Sequence, residues 1–182
     1  EYVFLNCKHL KINLSVDAYG KLNDFIRSGS SWEIIANNMK YFDSLIDRRQ
    51  GTTEIVVHSA IGIYNANMIY QLNDFVAENF PRFNKLYQMI QFPVFLNIQN
   101  LPLEYKEKLE LHLSDVDKKY MYSQQNDYFV HFLNYHRKLN EIRNENFEEL
   151  NPLLEDYIKS YKAHADSSDF FIQQIKILTG AT

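Results

Sequence analysis

"NLSVDAYGKLNDFIRSGSSWE", residues 13–33, holds the turn on which the reading of this chain depends. An apolar segment closes on Ser15, Val16 and Asp17, and small residues with Gly20 follow. A short helical pattern then carries Arg27, and Gly29 and Ser30 lead to Trp32 and a longer helical pattern. A strand that runs through a turn into helix is the start of a βα unit. Its corner is either a ligand-facing edge or a plain strand-to-helix connection.

Outward from this corner the same alternation continues. "LKINLSV" (10–16) alternates and then closes on apolar residues, as a strand does beneath helices. "SSWEIIANNMKYFDSLIDRR" (30–49) opens with Ser30 or Ser31 as N-cap and Glu33 in the first turn. Ile34, Ile35, Met39, Phe42, Leu45 and Ile46 then recur at helical spacing as one apolar stripe. "QGTT" interrupts the helix, and the β-branched run "TEIVVHSAIGIYN" (53–65) reads as a second, buried strand. "ANMIYQLNDFVAENF" (66–80) is helical, "RFNKLYQMI" (82–90) a third strand, and "PVFLNIQNLP" (93–102) an extended segment between Pro93 and Pro102. Strands alternating with helices predict right-handed crossovers and a parallel α/β layer.

From Leu103 the period is helical throughout. The predicted helices are 102–120, 127–150, 151–164 and a capped segment, 167–180, ending at Gly180. Three strands at the front and helices behind divide the chain at 101/102. A three-stranded parallel sheet leaves an open edge on its first strand. That edge and the abrupt start at Glu1 read as the second part of something larger.

Composition narrows the function classes. The 182 residues suffice for one sizeable core, and 46% hydrophobic with 15% aromatic content excludes a disordered chain. Nineteen basic against 23 acidic residues give a net charge of -4, so no basic field draws nucleic acid or an anionic membrane. No apolar run approaches the roughly 20 residues of a membrane span, and a soluble, cytoplasmic protein is expected. Cys7 is the single cysteine, which precludes an internal disulfide and a cluster held by this chain's own thiolates.

Taken in order, these segments resemble radical S-adenosylmethionine (radical SAM) proteins. Residues 13–39 are similar to that family's fourth-strand region. There the strand ends in a Ser-x-Asp-Gly-like turn, an arginine follows about one helical turn later, and a Gly-Ser-x-Trp-like helix start comes next. Residues 53–65 resemble the fifth strand of the twitch-type subgroup. "PVFLNIQNLPLEYKEKL" is similar to its Pro-x-Tyr-Leu-x-Ile-x-x-Leu-Pro segment, and "LNEIRNENFEELNPLL" to its closing helix. The resemblance covers residues 10 to about 157. It implies the C-terminal half of a partial, TIM-like parallel β/α barrel (1–101) followed by a helical extension (102–182).

It also implies S-adenosylmethionine as cofactor, facing Ser15, Asp17 and Arg27. The family's three-cysteine motif and its Gly-Gly-Glu-Pro-like turn are absent from this sequence. A [4Fe-4S] cluster is therefore expected only in a full-length parent, and this chain alone is expected to be inactive. The partner would be the missing N-terminal half, a separate chain supplying it, or a second copy pairing through the exposed strand edge.

Each of these residues also has a plainer role. Ser15 and Asp17 serve equally well to satisfy turn amides. Arg27 is either a bidentate carboxylate clamp or a solvated helix-end cation. His58, with Tyr64, Asn65 and Asn97, is assigned to a substrate pocket, although a single histidine in an apolar strand is most often a hydrogen-bonded core residue. Trp32 is read as packing, Cys7 as a small buried hydrophobe and "ENFEEL" as a solvated face. His131 and His136, five apart, are poorly spaced for one metal, His112 stands by itself, and no metal site is expected. The alternative function is a non-catalytic α/β interaction module that pairs with a partner supplying strands. A small hydrolase or transferase is set aside, because neither a Gly-rich phosphate loop nor a Gly-x-Ser-x-Gly elbow occurs.

Overall fold

The computed structural model describes residues 7–48, 51–109, 113–124, 128–143 and 146–165. The expected helix at 167–180 and the first six residues lie outside that set. The described chain forms a mixed α/β structure around a parallel sheet of three strands: β1 (His9–Ser15), β2 (Thr52–Ile61) and β3 (Asn84–Met89), in the order β1-β2-β3. Between them run α1 (Lys21–Ile26), α2 (Trp32–Ile46) and α3 (Ile69–Asn79). Next come α4 (Leu103–Leu109), α5 (Asp115–Tyr122), α6 (Phe129–Arg143), α7 (Phe147–Leu150) and α8 (Pro152–Ala165). The chain divides into two compact units, Glu1–Tyr135 and His136–Thr182.

Sequential parallel strands with crossovers of the usual hand leave both crossover helices on one face of the sheet. The contacts agree. Register places Leu14 beside Val57, so the side chains of Leu14, Val57 and Tyr87 share a face. On that face Leu14 meets Ile35, Met39 and Phe42 of α2 around a groove of about 130 Å³. Tyr87 Oη donates to Asn73 Oδ1 of α3. Tyr19, Trp32 and Phe75 then join the two helices in an edge-on ring cluster, with centroids 4.9 to 5.2 Å apart. Arg82 fixes the far end of α2 through Asp43 and Asp47.

The opposite face carries His9, Lys11, Asn13 and Ser15 from β1, all exposed, and His58 from β2, which is half-buried. Parallel sheets are usually apolar on both faces because helices cover both. Here the alternating burial of β1 marks one covered face and one open, polar face on that strand, while on the same side Val56 of β2 is buried and Leu86 of β3 is exposed.

At the carboxyl end of the sheet a second apolar layer forms. Phe25 of α1 packs edge-on to Tyr64, and Tyr64 packs against Phe132 of α6, at 5.6 and 5.1 Å between centroids. Ile98, Leu101, Tyr105 and Met121 are also fully buried. Burying such rings is worth about 2 kcal/mol each in area terms.

Four expected boundaries shift for local reasons. The second strand ends at Ile61, because Asn65 Oδ1 accepts from Gly62 N and folds residues 62–68 into turns. The segment after Pro93 is not extended but forms two 3-10 turns, Val94–Leu96 and Ile98–Asn100, the second capped by Asn97 Oδ1 on Gln99 N. The helix expected over 102–120 is two helices, because Ser114 Oγ caps Asp117 N and starts α5 afresh. The helix expected over 127–150 is interrupted at Asn146 and resumes at Phe147. Asn151 and Pro152 then start α8, with Asn151 Oδ1 accepting from Leu154 N.

The second unit contains a buried titratable pair. His136, 1% exposed, places Nε2 3.2 Å from Glu155 Oε2 and 3.0 Å from Asn140 Nδ2, against the Phe147 ring. Burial holds the imidazole below its usual pKa, outweighing the attraction of Glu155, while Lys162 lowers it further. A free imidazole takes its proton near 6.5. Below that value the unfolded chain binds more protons than the fold does, so stability falls as pH drops. Thermal melting between about pH 7.5 and 5 should show this loss, and His136→Gln should flatten it. An equal acid slope in both proteins would refute the assignment to His136.

Candidate functional site at the carboxyl ends of β1 and β2

Two residues beyond β1, Asp17 is 6% exposed and its carboxylate is fully engaged. Oδ1 accepts from Ala60 N at 2.8 Å, and Oδ2 accepts from Arg27 Nε at 2.7 Å. The backbone hydrogen bond from Val16 N to His58 O already extends the β1 ladder, and Asp17 continues it with a side chain. A buried carboxylate needs such partners to offset its lost hydration.

Asn23 and Asn65 hold the corner from its two sides. Asn23, fully buried, accepts from Asp17 N at 3.0 Å and Ala18 N at 3.4 Å. Asn65, 2% exposed, donates to Asp17 O at 2.6 Å and Ala60 O at 2.9 Å. Ser59 Oγ donates to Val16 O at 2.5 Å. Gly20 and Gly29, at φ of 64° and 82°, bracket α1 in a conformation that side chains disfavour. The cap of α2 comes from Asp24, whose Oδ2 accepts from Trp32 N, while Ser31 occupies the N-cap position without a side-chain bond.

Arg27 is therefore positioned through Nε alone. Its side chain is 40% exposed, and among the described residues its two terminal nitrogens have no partner. A guanidinium fixed at one edge and open at the other presents two parallel donors to a carboxylate or phosphate. It stands at the carboxyl end of a parallel sheet, where α/β folds place ligands.

The structure brings Asp17, Arg27 and Asn65 into one network. Ser15 and His58 lie side by side in register on the open face. Tyr64 is part of the Phe25–Tyr64–Phe132 core, and Asn97 belongs to a separate polar cluster, donating to Tyr120 Oη and Gln99 Oε1. The sequence reading missed Asn23 and Lys106. Asn23 has the signature of an Asx residue beside a turn, six positions after Asp17. Lys106 gives no signal, because a charge run such as "EYKEK" (104–108) reads as solvated helix; here it is 2% exposed and donates to Gln99 O at 2.8 Å.

The groove beside α2 is far smaller than the roughly 300 to 1,000 Å³ of ligand pockets. Among the described residues no three His, Cys, Asp or Glu side chains converge as metal ligands, and no helix is long and apolar enough to cross a membrane. Comparisons with protein-family models, with curated proteins and with solved structures returned no match.

Proposed function

We propose that this chain contributes the ligand-facing edge of a radical SAM-type enzyme, as the C-terminal half of a partial β/α barrel, and that Arg27 receives the carboxylate of S-adenosylmethionine. One observation carries the reading: Asp17 fixes Arg27 through Nε and leaves its terminal fork open at the carboxyl ends of parallel strands. Sequential strand order with both crossover helices on one face is what a barrel segment needs.

The residues fit S-adenosylmethionine and not the cluster. The open fork of Arg27 matches a carboxylate, whereas Cys7 is the only thiol in the sequence. When bound, S-adenosylmethionine supplies a sulfonium whose carbon–sulfur bond breaks on one-electron reduction, with the electron delivered from outside this chain. Within the chain, Asp17 orients Arg27 through Nε, and Asn23 and Asn65 keep Asp17 in place. Catalytic residues are not assigned by this reading.

Calorimetric titration tests it. Native protein should bind S-adenosylmethionine, and Arg27→Gln should weaken binding about tenfold, the loss of one charge-assisted contact. Adenosine, which lacks the carboxylate, should bind equally to both. Equal affinity of both proteins for S-adenosylmethionine would overturn the proposal.

The outer strands favour a second reading. Among the described residues β1 and β3 each pair on one side only. Such edges accept an added strand from a partner or a second copy. Concentration-dependent association without S-adenosylmethionine binding would favour this interaction-module function.

A further inference from the structure

β3 carries a strand edge that the Arg27 site leaves unused. Asn84, Lys85, Leu86, Tyr87 and Gln88 are exposed on both faces of the sheet, Leu86 to 53% and Tyr87 to 37%. Ile90 N donates to Ile61 O, so the even-numbered residues of β3 turn their backbone groups toward β2. In a parallel ladder the N–H and C=O of one residue face the same neighbour, so those of Lys85, Tyr87 and Met89 point outward. Among the described residues nothing bonds to them.

Sheets guard such edges with charge, proline or a bulge. β1 carries His9 and Lys11 on its exposed row. β3 has neither proline nor bulge, and its one charged residue, Lys85, turns onto Asn73 O of α3 at 3.4 Å. No acidic residue occurs from Pro81 to Leu103, and the other charge there, Arg82, is held by Asp43 and Asp47. Such an edge offers no counter-charge to an acidic or a basic peptide. It suits a strand as neutral as itself, and a second β3 is one.

Self-pairing has one best register. A two-fold contact between identical edges is antiparallel. Centred on Tyr87, it sets Tyr87 against Tyr87 and Lys85 against Met89 in both directions. All three outward residues then form hydrogen-bonded pairs that exchange two bonds each. Centring on Lys85 would oppose two ammonium groups, and centring on Leu86 or Gln88 would leave one outward residue facing beyond the strand. On the other face Leu86 lies opposite Gln88 and diagonal to the second Leu86, which covers exposed apolar surface.

We propose that β3 is a homodimer edge, joining two copies through an antiparallel β3–β3 pair centred on Tyr87. This rests on the strand-addition reading above, naming its edge, partner and register, and is independent of Arg27. One strand pair is small beside the roughly 1,200 to 2,000 Å² of standard interfaces, so the dimer is weak and reversible.

Sedimentation of the full chain from about 1 μM to about 1 mM tests the edge. Native protein should pass from monomer to dimer. Leu86→Lys, at an exposed position, should weaken association about tenfold by setting like charges diagonally across the pair, and Asn13→Lys on exposed β1 should leave it unchanged. Cross-linking tests the register. In a Cys7→Ser background, Tyr87→Cys puts thiols on facing residues with Cα atoms about 5.5 Å apart, within disulfide reach, and should form a covalent dimer under mild oxidant. Lys85→Cys puts its thiols roughly 14 Å out of register along the strands and should not. A monomer at every concentration would refute strand addition and the β3 dimer together. Association weakened by Asn13→Lys and not by Leu86→Lys would place the contact on β1, overturning the proposal while strand addition stands. Equal cross-linking of both cysteine variants would overturn the Tyr87 register.

Discussion

Asn65→Ala is expected to destabilise the first unit by about 3 kcal/mol, at about 1 kcal/mol for each of three lost hydrogen bonds. The side chain is 2% exposed and spans the ends of both ladders, accepting from Gly62 N at 2.8 Å and donating to Asp17 O and Ala60 O at 2.6 and 2.9 Å. Alanine leaves an N–H and two carbonyls buried without these partners, and such orphaned groups incur their full desolvation cost. Asn65→Asp should also be destabilising, since it keeps the acceptor for Gly62 and replaces a donor with a buried negative charge facing two carbonyls. Urea denaturation measures both. A loss below about 1 kcal/mol for alanine would show that solvent replaces the amide, and the corner would not be the rigid mount that Arg27 requires.

Lys106→Met is expected to act in the opposite direction and raise stability by about 2 kcal/mol, because a well-packed apolar side chain replaces a buried charge. Lys106 is 2% exposed. Its ammonium donates to Gln99 O at 2.8 Å and lies 5.7 Å from the Tyr122 ring centroid, and among the described residues no carboxylate pairs with it. The loss of the bond to Gln99 O reduces the gain without reversing it. Burial pushes the Lys106 pKa below the ordinary lysine value. Between the lowered value and about 10.4, the unfolded chain binds more protons, so stability contributed by this residue rises with pH. Native protein should gain stability on passing from neutral to alkaline solution, and Lys106→Met should lose that dependence. A destabilised Met variant would mean that the ammonium holds the 3-10 turns together by more than its single bond.

The two variants also mark how far the sequence was readable. The corner at residues 13–33 was legible because its signals are local: a strand closing just before Asp17, glycines where the backbone turns left-handed, and Trp32 opening a helix. Arg27 was a candidate through the resemblance, which places an arginine at this offset from the turn. That Asp17 occupies its Nε, and that Asn23 and Asn65 hold Asp17, depends on residues up to 48 positions apart in the chain. No spacing rule spans that distance, because side-chain hydrogen bonds follow the fold rather than the period.

The helical part shows the converse. Its period was clear, yet its breaks at Ser114 and Asn146 were not, although "SDVD" after Leu113 is a capping pattern that the sequence displays openly. The short polar run 97–100 read as an extended segment because two prolines frame it. In the fold its amides turn inward, onto Tyr120, Ser123 and the backbone.

By itself, the sequence determined the alternation of three strands with helices, the helical character after Leu103 and the polar row on β1, because each is written in a period of two or of 3.6 residues. Tertiary structure alone decided which face of the sheet stayed open, which polar side chains consume one another, and that the Arg27 fork and His58 remain without partners among the described residues. Those outcomes depend on register and burial, which arise only when distant segments pack together and water is excluded from some groups and left to others.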